Sequence, residues 1–169
     1  IPEDPGRAPS ALLDLYAGVA VSFQEAGMLP VIVLHEPQAD RPLSERLSAM
    51  CGGLQIVDLP DARDIKAFIA RASVVVTGRF HGLVNGLSTG VPSFAVSWSH
   101  KYGEMLGDFG CPDFICGTDI AAFHDRIANL LASPEQQSAL RSQLSGITQK
   151  KKAILATMWD KIAQDIQKV

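Results

Sequence analysis

The residues best suited to chemistry stand in three short stretches: His35-Glu36, Gly78-Arg79-Phe80-His81-Gly82 and Ser97-Trp98-Ser99-His100-Lys101. Each stretch follows a short apolar run of strand type. Arg79 is the strongest candidate, because a guanidinium grips a phosphate or carboxylate through two parallel hydrogen bonds, and a site just past a buried strand holds it still. The alternative for Arg79 is a surface arginine paired with an acid. His81, two residues on, can donate to the same anion or transfer a proton; otherwise it caps a helix or fills the core. Asn85 lies one helical turn after His81 and can bond either that ring or a ligand. His100 and Lys101 open a further helix, where Lys101 is a second phosphate contact or a solvated charge. Trp98 and Tyr102 either shelter a ligand or belong to the core, and Glu104 and Asp108 read as a solvated helix face.

The elements that must position these groups follow from the apolar pattern. Leu12, Leu15, Val19 and Phe23 recur at helical spacing and stop at Gly27 before Pro30. Strands are predicted at Pro30–Leu34, Leu54–Leu59, Ser73–Thr77 and Gly90–Val96, with a weak one at Phe114–Cys116. Helices are predicted over Leu43–Met50, from an Asp61 cap through Ile65, Phe68, Ile69 and Ala72, from the Gly78–Gly82 turn to Ser88, and over Tyr102–Phe109. A further helix turns Ile120, Phe123, Ile127, Leu130 and Leu131 inward. Ser133-Pro134-Glu135-Gln136 is a capping box with proline at the first helical position, and it starts a last helix at about 134 whose apolar stripe runs from Ile147 to Ile166. Gly82, Gly86 and Gly90 leave one helix face bare, for tight packing or for close approach to a ligand.

This β/α alternation predicts an α/β fold with one Rossmann-like, doubly wound parallel sheet of four or five strands. In such a sheet ligands bind beyond the carboxyl ends of the strands, near helix N-termini with unpaired N–H groups. Three of the four histidines, with Arg79 and Lys101, then fall on one rim, which is electropositive in a chain of net charge −3. An anionic ligand is the natural inference.

Composition narrows the classes. With 169 residues, 47% of them hydrophobic and 20% charged, the chain suits one globular domain. No run of Lys and Arg lays a basic stripe, so nucleic acid is not an expected partner. Three cysteines without a CxxC pair or a histidine at ligand spacing point to neither a disulfide framework nor a metal site, and a reducing cytoplasm is the expected setting. No cofactor is expected. No stretch reaches the length of a membrane span, and no signal peptide is visible. Residues 1–10 carry three prolines, lack an initiator Met and read as a linker, leaving 11–169 as the domain. The phosphate-loop, dinucleotide and nucleophile-elbow patterns are absent.

The stretch from Ala72 to Leu106 resembles the polysaccharide pyruvyl transferase family, through Arg79-Phe80-His81, Gly90-Val91-Pro92 and Trp98-Ser99-His100-Lys101-Tyr102 in this order and spacing. The likeness covers most of Pro30 to Gly110. It implies half of a GT-B architecture, in which two Rossmann-like domains face each other across a cleft. It also implies transfer of the enolpyruvyl group of phosphoenolpyruvate to a sugar of a cell-surface or exopolysaccharide as a ketal, with phosphate released. Carried over by motif, Arg79 holds the phosphoenolpyruvate anion, His81 binds phosphate or acts as general acid, and Lys101 compensates charge, with His100, Asn85 and His35 around the same substrate. The family's N-terminal domain, opened by a glycine-rich turn, has no counterpart here, so the chain reads as the second domain. The alternatives are half of a nucleotide-sugar glycosyltransferase and a catalytically silent anion-binding or assembly module.

Overall fold

A chain that alternates short β-branched runs with amphipathic helices buries each strand between helices, and the computed structural model, which describes residues 9–97, 99–117 and 119–166, has that order. The elements are α1 (Pro9–Glu25), β1 (Val31–Val33), α2 (Pro37–Met50), β2 (Gln55–Val57), α3 (Ala62–Ile69), β3 (Val75–Thr77), α4 (Phe80–Ser88), β4 (Ser93–Ala95), α5 (His100–Asp108), α6 (Ile120–Leu131) and α7 (Pro134–Ile166). Helix starts follow local chemistry. Asp61 accepts the Arg63 amide at 2.7 Å to start α3, Asp119 accepts the Ala122 amide at 3.0 Å to start α6, and Ser133 accepts the Gln136 amide at 3.3 Å to start α7. α2 begins six residues before the apolar periodicity of Leu43–Met50 predicts. Pro37 stands in its first turn, where a missing N–H costs nothing, and Asp40 turns its carboxylate back onto the Glu36 amide.

Among the described residues the protein is a mostly helical α/β structure with two small parallel sheets. β1 pairs with β2 and β3 pairs with β4, each over three residues. The alternation predicts one sheet of four or five strands; the structure has two pairs and reduces the weak strand to a parallel bridge between Ala95 and Ile115. A cavity of about 750 Å³, lined by Val31–Val33 and by Val74–Thr77, separates the two pairs.

Around β4 the packing is two-sided. Phe94 and Val96 join a cluster with Leu15, Val19, Phe123 and Ile127 from α1 and α6, while Ala95 between them joins Leu83, Leu87, Leu106 and Leu144 from α4, α5 and α7. Strand alternation sends successive side chains to opposite faces, so a continuous apolar run needs helices on both. Phe94 stacks on Phe114 at 4.1 Å and meets Phe123 edge-on at 5.8 Å. The bare face of α4 is used for packing: a Cβ on Gly86 would lie 2.0 Å from Ser93 Oγ.

Only the first half of α7 docks. Leu144 is fully buried and Thr148 donates to the Leu87 carbonyl, whereas Ile154, Leu155, Met158, Trp159, Ile162 and Ile166 are exposed. The stripe predicted from Ile147 to Ile166 therefore continues past its partner. No disulfide joins the cysteines among the described residues, and burial pushes the Cys111 thiol up to about 11. Among the described residues, no helix is long and apolar enough to cross a membrane.

Candidate functional site

The loops after β1 and β3 meet at the strands' carboxyl ends. Thr77, the last residue of β3, accepts the Arg79 amide at 3.0 Å through Oγ1 and so shapes the turn into α4. Behind the turn, the Tyr102 hydroxyl donates to the Gly78 carbonyl at 2.9 Å. Tyr102 is buried, so it braces the loop from inside. Gly82 is required by a close approach: a Cβ there would lie 2.6 Å from Thr77 Oγ1 and 3.3 Å from the His35 ring. That approach brings α4 against the end of β1.

Arg79 bridges the two loops. Its Nη2 donates to Asp40 Oδ1 at 2.6 Å, and its Nη1 meets Glu36 Oε1 at 2.9 Å. Asp40 also accepts the His35 and Glu36 amides, at 3.1 and 3.0 Å, through Oδ2. Burial alone would raise the Asp40 carboxyl; the hydrogen bonds it accepts, those from the Glu36 amide and the Arg79 guanidinium among them, outweigh burial and hold the carboxyl well below the usual carboxylate range. Desolvation works against the Arg79 charge, and the two carboxylates more than restore it. The surface-ion-pair alternative for Arg79 is thus half realised: it is paired with acids, yet its side chain is only 20% exposed.

His35 packs beside this pair. Among the described residues its buried Nε2 has no hydrogen-bond partner, and neither do Arg79 Nε and Ser44 Oγ. Burial, then the neighbouring Arg79 and His81 charges, lower the His35 pKa, against the pull of Asp40. The half-buried imidazole is therefore biased toward its neutral form. His35, Asp40, Ser44, Arg79 and Gly82 lie along the lining of the cavity that separates the strand pairs.

The other candidates divide. His81, in the first turn of α4, is exposed beside the Arg79 loop, with its ring 6.4 Å from Phe80. Lys101 Nζ sits 5.0 Å from the Phe80 ring and 5.5 Å from the Tyr102 ring, cation over aromatic, so the α5 start is tied to the same loop. His100 is exposed at the first residue of α5. The Asn85 backbone carbonyl accepts from Thr89 Oγ1 at 2.7 Å and from Ser88 Oγ at 3.4 Å. Trp98 lies outside the described residues. Glu104 is solvated, and Asp108 pairs with Lys151 at 2.7 Å. The fourth histidine, His124, is away from the rim, with Nε2 3.2 Å from the Leu15 carbonyl.

Sequence reasoning missed Asp40 and the anchoring part of Glu36. The signal was present: an acid four residues after Glu36, with proline between, fits the first turn of a helix that starts early.

A parallel α/β framework gathers cationic and imidazole side chains where strands run into helix N-termini, an arrangement whose chemistry suits an anion. The family model for polysaccharide pyruvyl transferase matches residues 12–100, a span that holds β1 to β4, Arg79, His81 and His35. The chain belongs to that family, a family of transferases with a saccharide acceptor. No curated protein matches the chain.

Proposed function

We propose that this chain is the donor-binding, Rossmann-like half of a GT-B pyruvyl transferase that takes phosphoenolpyruvate as donor and a cell-surface or exopolysaccharide sugar as acceptor, in the cytoplasm. The observation that carries this reading is Arg79, held rigidly at a strand end beside His35 and His81, with part of its hydrogen-bonding capacity unspent. Phosphoenolpyruvate carries a carboxylate and a phosphate, and a preorganised cationic site stabilises charge on both as phosphate departs. The reaction balances without a redox partner. A proton adds to the donor's methylene carbon, two sugar hydroxyls form C–O bonds to its central carbon and lose their protons, and the C–O bond to phosphate breaks; one hydroxyl proton balances that taken up by carbon and the other leaves with phosphate, giving a pyruvate ketal and inorganic phosphate.

In this reading Arg79 binds the donor anion and His81 contacts the phosphate or supplies the proton. Lys101 and His100 add positive charge from the start of α5. Asn85 and His35 line the approach, and the acceptor is met across a cleft by a second Rossmann-like domain.

Calorimetric titration of phosphoenolpyruvate against uridine diphosphate sugars tests the reading. Phosphoenolpyruvate is expected to bind preferentially, and Arg79→Ala is expected to weaken it by about 1–3 kcal/mol, the worth of charge-assisted hydrogen bonds. Preference for the nucleotide sugar overturns it.

A further inference from the structure

The guanidinium that would grip an anion already holds two carboxylates, and the two are unlike. Asp40 is 2% exposed and, among the described residues, accepts hydrogen bonds from the His35 amide, the Glu36 amide and Arg79 Nη2. It ties the turn after β1 to the turn after β3, where no backbone hydrogen bond between β1 and β3 does so among the described residues. The Glu36 side chain is 65% exposed, and Arg79 Nη1 is its ion-pair partner. A carboxylate that exposed is held weakly, because water screens the pair and competes for both ends.

We propose that Asp40 and Glu36 divide the Arg79 guanidinium between them: Asp40 is a positioning residue that fixes the Nη2 side, and Glu36 is an internal competitor occupying the Nη1 edge that an incoming anion takes. The proposal rests on Arg79 being the anion-binding group. Its consequence is a threshold for binding. A monocarboxylate offers Arg79 no more than Glu36 already supplies, so it gains little by displacing Glu36. A ligand carrying a phosphate beside a carboxylate brings more charge and more acceptor oxygens, and it wins the exchange. Glu36 thereby sets a threshold that costs every ligand alike, which a phosphorylated acid clears and the dephosphorylated acid, the carbon skeleton left when phosphate is lost, does not.

The ordering of the two acids follows from geometry. Freeing Asp40 would leave the His35 and Glu36 amides without this acceptor and uncover a carboxylate 4% exposed on its side chain. Releasing Glu36 costs one screened contact. Removing its charge also makes the rim more positive by one unit while leaving Arg79 anchored.

Titration of the full chain with phosphoenolpyruvate and with pyruvate, for wild type, Glu36→Gln, Asp40→Asn and Asp40→Glu, separates these parts. Glu36→Gln is expected to tighten phosphoenolpyruvate by about 3- to 10-fold, the scale of an exposed ion pair, and pyruvate by a similar or smaller factor, since the contact displaced is the same and the lost charge repelled the more highly charged ligand more. Asp40→Asn is expected to weaken phosphoenolpyruvate by about 10-fold or more, with partial recovery in Asp40→Glu. The exposed Glu36 position is safe for folding, so Glu36→Gln alone decides the competitor role if Asp40→Asn loses its structure. Arg79-dependent binding of phosphoenolpyruvate that Glu36→Gln leaves unchanged or weakens overturns the division of Arg79 and spares the donor reading; absence of binding in wild type and Glu36→Gln alike overturns both.

Discussion

The two strand pairs are built to one plan, three residues beside three in parallel, yet they are held very differently. Every residue of β4 is fully buried, whereas β1 begins with Val31 at 40% exposure and β2 with the exposed Gln55. β4 has helices on both faces, α1 and α6 on one and α4, α5 and α7 on the other. Beside β1 lies the cavity of about 750 Å³. Burial on two faces makes the β3–β4 pair the more deeply anchored half; the β1–β2 pair, with α2, is attached to the same core through Ile32, Leu43 and Leu47 and meets the end of β3 through Asp40 and Arg79. The site draws on both. Arg79 comes from the anchored half, and His35, Glu36 and Asp40 come from the attached half, so their alignment depends on Asp40 as much as on sheet hydrogen bonds.

The comparison can be broken at the core first. Phe94→Ala removes a fully buried ring between Phe114 and Phe123 and is expected to destabilise by about 3–5 kcal/mol, while Val31→Ala is expected to stay within about 1 kcal/mol. Denaturant midpoints for the two variants measure the gap; similar losses would mean the halves are equally anchored.

Hydrogen exchange sharpens the same contrast. In a parallel strand alternate residues bond to alternate sides. The Leu34 amide bonds Val57 and the Val75 amide bonds Pro92, so the amides of Val33 and Val76 point the other way, toward the cavity. They are expected to exchange about 100-fold faster than those of Leu34 and Val75. Equal protection would mean that β1 and β3 pair directly in solution, as the single sheet read from the sequence requires.

The smallest effect is one of pH. The His35 pKa is lowered in the fold, so the native state takes up this proton less readily than the unfolded chain, whose histidine titrates near 6.5. Its contribution to stability is complete above that value and is lost as pH falls toward the lowered folded value. Thermal melts at pH 7.5 and 5 are expected to differ less in His35→Gln than in wild type; an unchanged difference would place the acid sensitivity elsewhere.

Much of this was legible in the chain. Element order follows from periodicity, which is local, and the caps at Asp61 and Ser133 are set by residues two and three positions away. The rim was legible because parallel strands deliver their carboxyl ends to one edge, which brings the His35 and Arg79 loops together. The Asp40–Arg79 bond was not, since 39 residues separate its partners and Asp40 stood before the predicted start of its helix. The bare glycines of α4 admitted two readings, and the 2.0 Å approach at Gly86 decides for packing at that position.

By itself the sequence determined the α/β order, the cationic character of the strand ends and the likeness borne by Arg79-Phe80-His81, because these rest on residue types and short spacings. Only the tertiary structure decided that the strands form two pairs, that half of α7 lies undocked, and that Arg79 is divided between a buried and an exposed carboxylate. Those outcomes depend on which distant surfaces meet and how much water they exclude, and no local pattern encodes that.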